Sequence, residues 1–234
     1  MLSSGPKAMS GREHHDVHHS RGSLRHLGHR YRLPARLVGA TALRPCDTHL
    51  HSQRRMSEPP YPPHRPPGPT IFTDGRIEVL DSTWTVDGTP LRRGSIVHPG
   101  AVVILARRED GKFLLIRNTR RVLGHTLWEL PAGTRDGAED PAACALRELR
   151  EETGYAAKTL LPLGGFYSAP GFCTEYLFAF LAEDLEFVGQ ELDRGEQIEV
   201  YMRSEEELDE MLRGGELVDG KTLATLLLFQ SSHR

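Results

Sequence analysis

A chain of 234 residues has room for one domain with an appendage or for two small domains. Its net charge of −3, the lack of any apolar run near the roughly 20 residues a bilayer requires, and the lack of a secretory signal exclude a membrane or secreted protein and imply a soluble cytoplasmic one. Three cysteines, Cys46, Cys144 and Cys173, make neither a disulfide framework nor a zinc spacing.

Charge divides the chain. Residues 1–55 carry ten Lys and Arg against Glu13, Asp16 and Asp47, a balance of +7 that leaves −10 for residues 56–234. No sustained apolar pattern precedes Ile71, and SEPPYPPHRPPGPT is Pro-rich, so residues 1–69 read as a disordered, basic linker segment. His14-His15 and His18-His19 as metal ligands, an organelle transit peptide, and a start placed upstream of Met56 stay open as readings of this stretch. Nucleic-acid binding is not expected, since interleaved aromatics are missing.

From Ile71 the elements follow in order. Residues 76–80, 82–86 and 91–97 predict strands, with Asp87-Gly88 as a turn, making a small antiparallel sheet over 70–97. After His98-Pro99-Gly100, residues 101–106 and 113–117 flank Glu109-Asp110-Gly111 as a hairpin, and 127–130 leads into Pro131-Ala132-Gly133. Asp140, Pro141 and Gly154 are the cap residues of a helix between them. Further strands are expected near 159–167, 176–182 and 198–202, and helices over 204–212 and 221–229. Strands interleaved with helices, few of them in βαβ units, imply an α/β/α sandwich around a mixed sheet over 98–234.

The 141–153 helix carries two faces. Ala142, Ala145, Leu146 and Leu149 recur at three- and four-residue steps and predict a buried stripe, whereas Glu148, Glu151 and Glu152 crowd one turn beside Arg147. Like charges so placed repel, and a divalent cation would offset them. Hard cations such as Mg²⁺ take oxygen ligands, which three glutamates supply.

The order Gly133, five residues, Glu139, seven residues, then Arg147-Glu148-Leu149-x-Glu151-Glu152-x-Gly154-Tyr155 resembles the Nudix box at every specified position. The resemblance implies a Nudix-type fold over about residues 75–230 and a hydrolase acting on nucleoside diphosphate derivatives with Mg²⁺ or Mn²⁺. It implies that Glu148, Glu151, Glu152 and the Ala132 carbonyl bind metal, with Glu148 and Glu152 central to catalysis, and that Arg147 pairs with Glu139 to orient them. Two flanks are similar to the ADP-ribose pyrophosphatase branch: Leu114 to Arg120 followed by Leu127 to Gly133, and Ser168 to Glu175 with Pro170 sixteen residues after Gly154. Asn118 and Thr119 depart from that branch, and Asp136 replaces a commoner Glu.

That likeness makes Arg120, Asp136 and Pro170 candidates for binding a nucleotide-sugar substrate, and it implies a homodimer through the N-terminal sheet. Trp84, Phe172 and Tyr176 stay open as stacking partners for the base. Carboxylates held on metal are poor proton acceptors. The base is therefore expected in the loop 191–197, with Glu196 first and Glu191 and Asp193 behind it. A nucleotide sensor lacking catalysis is the competing class, disfavoured by the complete set of box carboxylates.

Overall fold

The computed structural model describes residue 59 and residues 64–192 and 196–232. The readings made for residues 1–58, including the His pairs and Cys46, lie outside the described residues, as does Asp193. No described helix is long and apolar enough to cross a membrane.

Three strands, β1 (Thr70–Thr73), β2 (Glu78–Val86) and β3 (Thr89–Val97), form an antiparallel sheet in that order. Asp87 and Gly88 both take positive φ, 50° and 76°, which matches the twist of a two-residue hairpin turn. Two separate strands were expected at 76–80 and 82–86, but β2 runs unbroken. Asp81, which lies between those two spans, donates its N–H to the Pro69 carbonyl at 3.0 Å and pairs its carboxylate with Arg92 of β3. Residues 65–73, with no predicted strand among them, are likewise held: Arg65 grips Glu78 through both oxygens, and Thr70 donates to the same carboxylate. A chain beginning at Met56 keeps all these contacts, so its melting temperature and kcat/KM are expected to match those of the full chain within about twofold, measured side by side.

The larger sheet contains β4 (Ala101–Arg107), β5 (Phe113–Arg120), β6 (His125–Glu129), β7 (Ala132–Thr134), β8 (Tyr155–Tyr167), β9 (Tyr176–Phe187) and β10 (Ile198–Arg203). Its main order is β10-β5-β4-β9-β8, with β6 on β5 and β7 on β4. The sheet is mixed: β4 and β9 run parallel and the other pairs antiparallel. Both β8 and β9 are longer than their apolar runs suggested, because they pair out to Tyr155↔Phe187 through partly exposed residues that carry little hydrophobic signal.

Alternate residues of the central strands feed two cores, as the pleat requires. Val103, Leu105, Leu115 and Leu181 pack with Leu208, Met211 and Leu226 of α2 (Glu205–Gly214) and α3 (Gly220–Ser232). Val102, Ile104, Leu114 and Ile116 pack with Cys144, Ala145 and Leu149 of α1 (Pro141–Thr153). Helices thus cover both faces, as the sequence implied. One residue departs from the predicted stripe: Leu146 is 39% exposed, because Cys144 rather than Leu146 completes the buried face of α1.

Candidate active site

The site is assembled where two strands part. β4 and β5 pair directly only at Ala106↔Leu114 and Arg107↔Phe113, and β6 and β7 fill the opening between them. Ile104 N–H donates to the Pro131 carbonyl, so Leu130-Pro131-Ala132-Gly133 is stitched into the middle of the sheet. A short loop leads to α1, whose start and end are fixed as the sequence predicted. Asp140 accepts from the N–H groups of Ala142 and Ala143, and Gly154 takes the left-handed conformation at φ 77°.

Gly133 faces the helix at very short range. A Cβ on this residue would lie 1.8 Å from the Glu148 Cδ, so the carboxylate occupies the space a side chain would need. Gly133→Ala must displace Glu148 while leaving the backbone free to keep its conformation. A kcat/KM lowered by about 10²-fold, the order expected for a reacting group moved by about 1 Å, with a melting temperature close to wild type, is the expected result.

Arg147 is the hub of the charged turn. Its Nε and Nη2 donate to the two oxygens of Glu139 at 3.1 and 2.9 Å, and its Nη1 donates to Glu148 at 2.8 Å and Glu151 at 3.0 Å. The Asp136 N–H adds a bond to Glu139. Arg147 therefore ties loop to helix and itself offsets part of the repulsion within the turn. Its guanidinium, assisted by that N–H, holds the Glu139 carboxyl down at about 2. Burial, with Glu139 next, pushes the Cys144 thiol up to about 12.

Glu148 and Glu152 respond in the opposite sense. Burial raises both, opposed at Glu148 by Arg147 and reinforced by Glu151 and Glu196. Glu152 is pushed up to about 8, by burial first and by the charges of Glu148 and Glu196, against the N–H of Ala132 that donates to it at 2.9 Å. Among the described residues no three His, Cys, Asp or Glu side chains are gathered for a metal ion. Arg147 draws Glu148 and Glu151 to itself, and Ala132 N–H holds Glu152. The donor set nevertheless suits a hard dication: all are oxygens, they share one helical turn, and two of them, the buried Glu152 and the partly buried Glu148, are carboxylates that a positive charge would stabilise.

Of the other predicted residues, Glu196 is exposed just before β10, and its charge reaches both Glu148 and Glu152. Glu191 is instead ion-paired with Arg150 at 2.6 Å. Asp136 is exposed in the loop before α1, and Pro170 is exposed in the turn after β8. That turn is clasped to β3: Ile96 N–H donates to the Phe172 carbonyl, and Thr174 N–H donates to the Ile96 carbonyl. Phe172 is 57% exposed, Trp84 lies half-buried on β2, and Tyr176 packs edge-on against Tyr167 and Phe178.

Arg120 is half-exposed but not alone. Its Nε and Nη2 bind the two oxygens of Glu129 at 2.8 and 2.5 Å, and Glu129 is fully buried. Lys221 of α3 binds the same carboxylate and also Asp219 at 3.0 Å. The sequence reading assigned no part to Glu129 or Lys221. A signal was there: each is a charge in an apolar setting, Glu129 between Trp128 and Leu130, Lys221 alone on a helix with no other charged residue.

The site is thus an acidic helical turn clamped to a glycine loop on a mixed sheet, with helices on both faces. The NUDIX domain family matches residues 97–226. An ADP-ribose pyrophosphatase of Bacillus subtilis is 38% identical over 68% of this chain and 88% of its own length. A GDP-mannose pyrophosphatase of Escherichia coli is 33% identical over 70% and 93% respectively. A solved structure described as an ADP compounds hydrolase superposes with a TM-score of 0.61 at 20% identity, over 70% of this chain and 89% of that one, and bears on the fold alone. The chain belongs to the Nudix family and is a Nudix hydrolase, a pyrophosphatase of nucleotide derivatives. The family is generally dependent on divalent metal.

Proposed function

We propose that the protein hydrolyses the pyrophosphate bond of ADP-ribose to give AMP and ribose 5-phosphate, using Mg²⁺ or Mn²⁺. The observation that carries this reading is the juxtaposition of Ala132-Gly133 with Glu148 and Glu152, with Arg120 near enough for its charge to act on Glu152. The flanks similar to the ADP-ribose pyrophosphatase branch and the relative of that name support the substrate.

The Ala132 carbonyl with Glu148, Glu151 and Glu152 would hold the metal, which when bound neutralises phosphate charge and makes a water more acidic. Glu196 takes the proton of the attacking water. Arg120 binds the diphosphate, and Asp136 and Pro170 shape the sugar-phosphate end. Arg147 orients the carboxylate turn through Glu139. Water adds to one phosphorus, the bridging P–O bond breaks, and each product leaves as a phosphate monoester.

The relative named GDP-mannose pyrophosphatase supports a second reading in which another nucleotide sugar is preferred. A panel of ADP-ribose, GDP-mannose and a UDP-sugar with Mg²⁺, scored by products, tests both. ADP-ribose should give the highest kcat/KM; a higher value for a GDP- or UDP-sugar would replace the first reading by the second, and turnover of none would leave a non-catalytic sensor. We further infer a homodimer through the three-stranded sheet, supported by the exposed Ile71, Phe72, Val86 and Leu91 upon it. Light scattering that gives a monomer mass at assay concentration would remove that inference.

A further inference from the structure

The Arg120–Glu129–Lys221 cluster reaches beyond the residues given roles above. Glu129 ends β6, at the edge of the wedge that carries Ala132, and its carboxylate has no exposure. A buried carboxylate is tolerated only when its oxygens are bonded, and here they accept from two cations on separate elements. The bidentate bond from Arg120 sets the plane of the guanidinium. Lys221 reaches Oε2 from α3 and so fixes the rotation of the Glu129 carboxylate on which that plane depends.

The first turn of α3 is built to hold Lys221 there. Asp219 binds the Lys221 ammonium at 3.0 Å, accepts from the Thr222 N–H at 3.0 Å and accepts from its hydroxyl at 2.7 Å. Thr222 in turn accepts the Leu130 N–H at 2.9 Å, so the same turn also grips the residue next to Glu129. The side chain of Lys221 is 16% exposed and that of Arg120 is 40% exposed. Three of Arg120's five N–H bonds are not committed to Glu129 and can meet an anion.

We propose that Lys221 is a positioning residue, acting through Glu129 to hold the Arg120 guanidinium in the orientation that binds the substrate's diphosphate, which makes the C-terminal helix α3 part of the specificity apparatus. The proposal rests on the reading of Arg120 as a substrate-binding residue.

A double-mutant cycle with Arg120→Ala and Lys221→Met, assayed on ADP-ribose with saturating Mg²⁺, separates the two. Each single change should lower kcat/KM, Lys221→Met by about 10–100-fold, the range seen when the partner that orients a site residue is removed. The loss should fall mainly on KM. At a temperature where circular dichroism shows the double variant folded, Lys221→Met should cost nothing more in the Arg120→Ala background, and Lys221→Arg should restore most of the wild-type value. Losses that multiply in the double variant, or a wild-type kcat/KM in Lys221→Met beside an impaired Arg120→Ala, overturn the positioning role and leave the reading of Arg120 intact. A wild-type kcat/KM in Arg120→Ala overturns both. Should Lys221→Met fail to fold, Glu129→Gln, which keeps the shape and leaves no buried charge but weakens the bonds to both cations, takes its place in the cycle with the same expected results.

Discussion

Glu152→Gln is expected to lower kcat by about three powers of ten, the loss of several kcal/mol of charge stabilisation that a metal supplies, while the fold is kept or strengthened. Gln preserves the shape and still accepts the Ala132 N–H now bonded to Glu152. It removes a carboxylate that burial and the charges of Glu148 and Glu196 push up to about 8, against an ordinary value of 4.5. A folded-state value above the unfolded one means that the group's contribution to stability is fully present below about pH 4.5 and is lost as pH rises through about 8. In chelator-treated protein the melting temperature of Glu152→Gln should therefore approach wild type at about pH 5 and exceed it increasingly toward about pH 8. Adding Mg²⁺ should raise the wild-type melting temperature more than that of the variant, since only binding to the native state stabilises it. Equal Mg²⁺-induced shifts in the two proteins, or near-normal turnover of the variant at limiting Mg²⁺, would take Glu152 out of the metal set.

What was legible in the sequence was whatever has a local cause. Asp140, Pro141 and Gly154 mark the ends of α1 because capping is a matter of a few consecutive residues, and the structure shows those caps. The strands expected at 101–106 and 113–117 were legible because they hold the buried apolar runs Ala101–Ala106 and Phe113–Ile116, whereas the polar end of β5, Asn118 to Arg120, carries no such signal. The misses have non-local causes. Asp81 falls between the two spans expected as strands, and it is kept within β2 by Arg92 across the sheet and by Pro69 before it. Leu146 suited the apolar stripe by spacing, but the contact surface of α1 is set by where β8, β4 and β7 lie beneath it.

Site residues divide in the same way. The box prescribes Glu139, Arg147 and Glu148 by spacing, and their hydrogen bonds follow from one loop and one helix. Glu129 and Lys221 stand 92 residues apart, and only the packing of α3 against the sheet joins them. A buried ion pair of that kind is invisible to any motif of fixed length. Its trace is a charged residue in an apolar run, a weak sign until the partner is seen.

Glu196→Gln is the sharper test of mechanism, because it separates proton transfer from metal binding. The carboxylates of α1 are those a dication would draw on, and a carboxylate on a dication loses its basicity. Glu196 comes from a different element, the segment before β10, and is exposed, yet its charge is felt at both Glu148 and Glu152. It thus stands close to the acidic turn without being part of it. Glu191, the next candidate, is paired with Arg150 at 2.6 Å. General-base assistance accounts for about 10²–10⁴-fold in rate. The variant is expected to lose kcat within that range, with KM and the Mg²⁺ concentration at half-maximal rate changed by less than about threefold. Its pH–rate profile should also lose the acidic limb that titration of the base gives to wild type. A kcat close to wild type would exclude Glu196 as the base, and a large shift in the Mg²⁺ requirement with the acidic limb retained would make it a metal ligand.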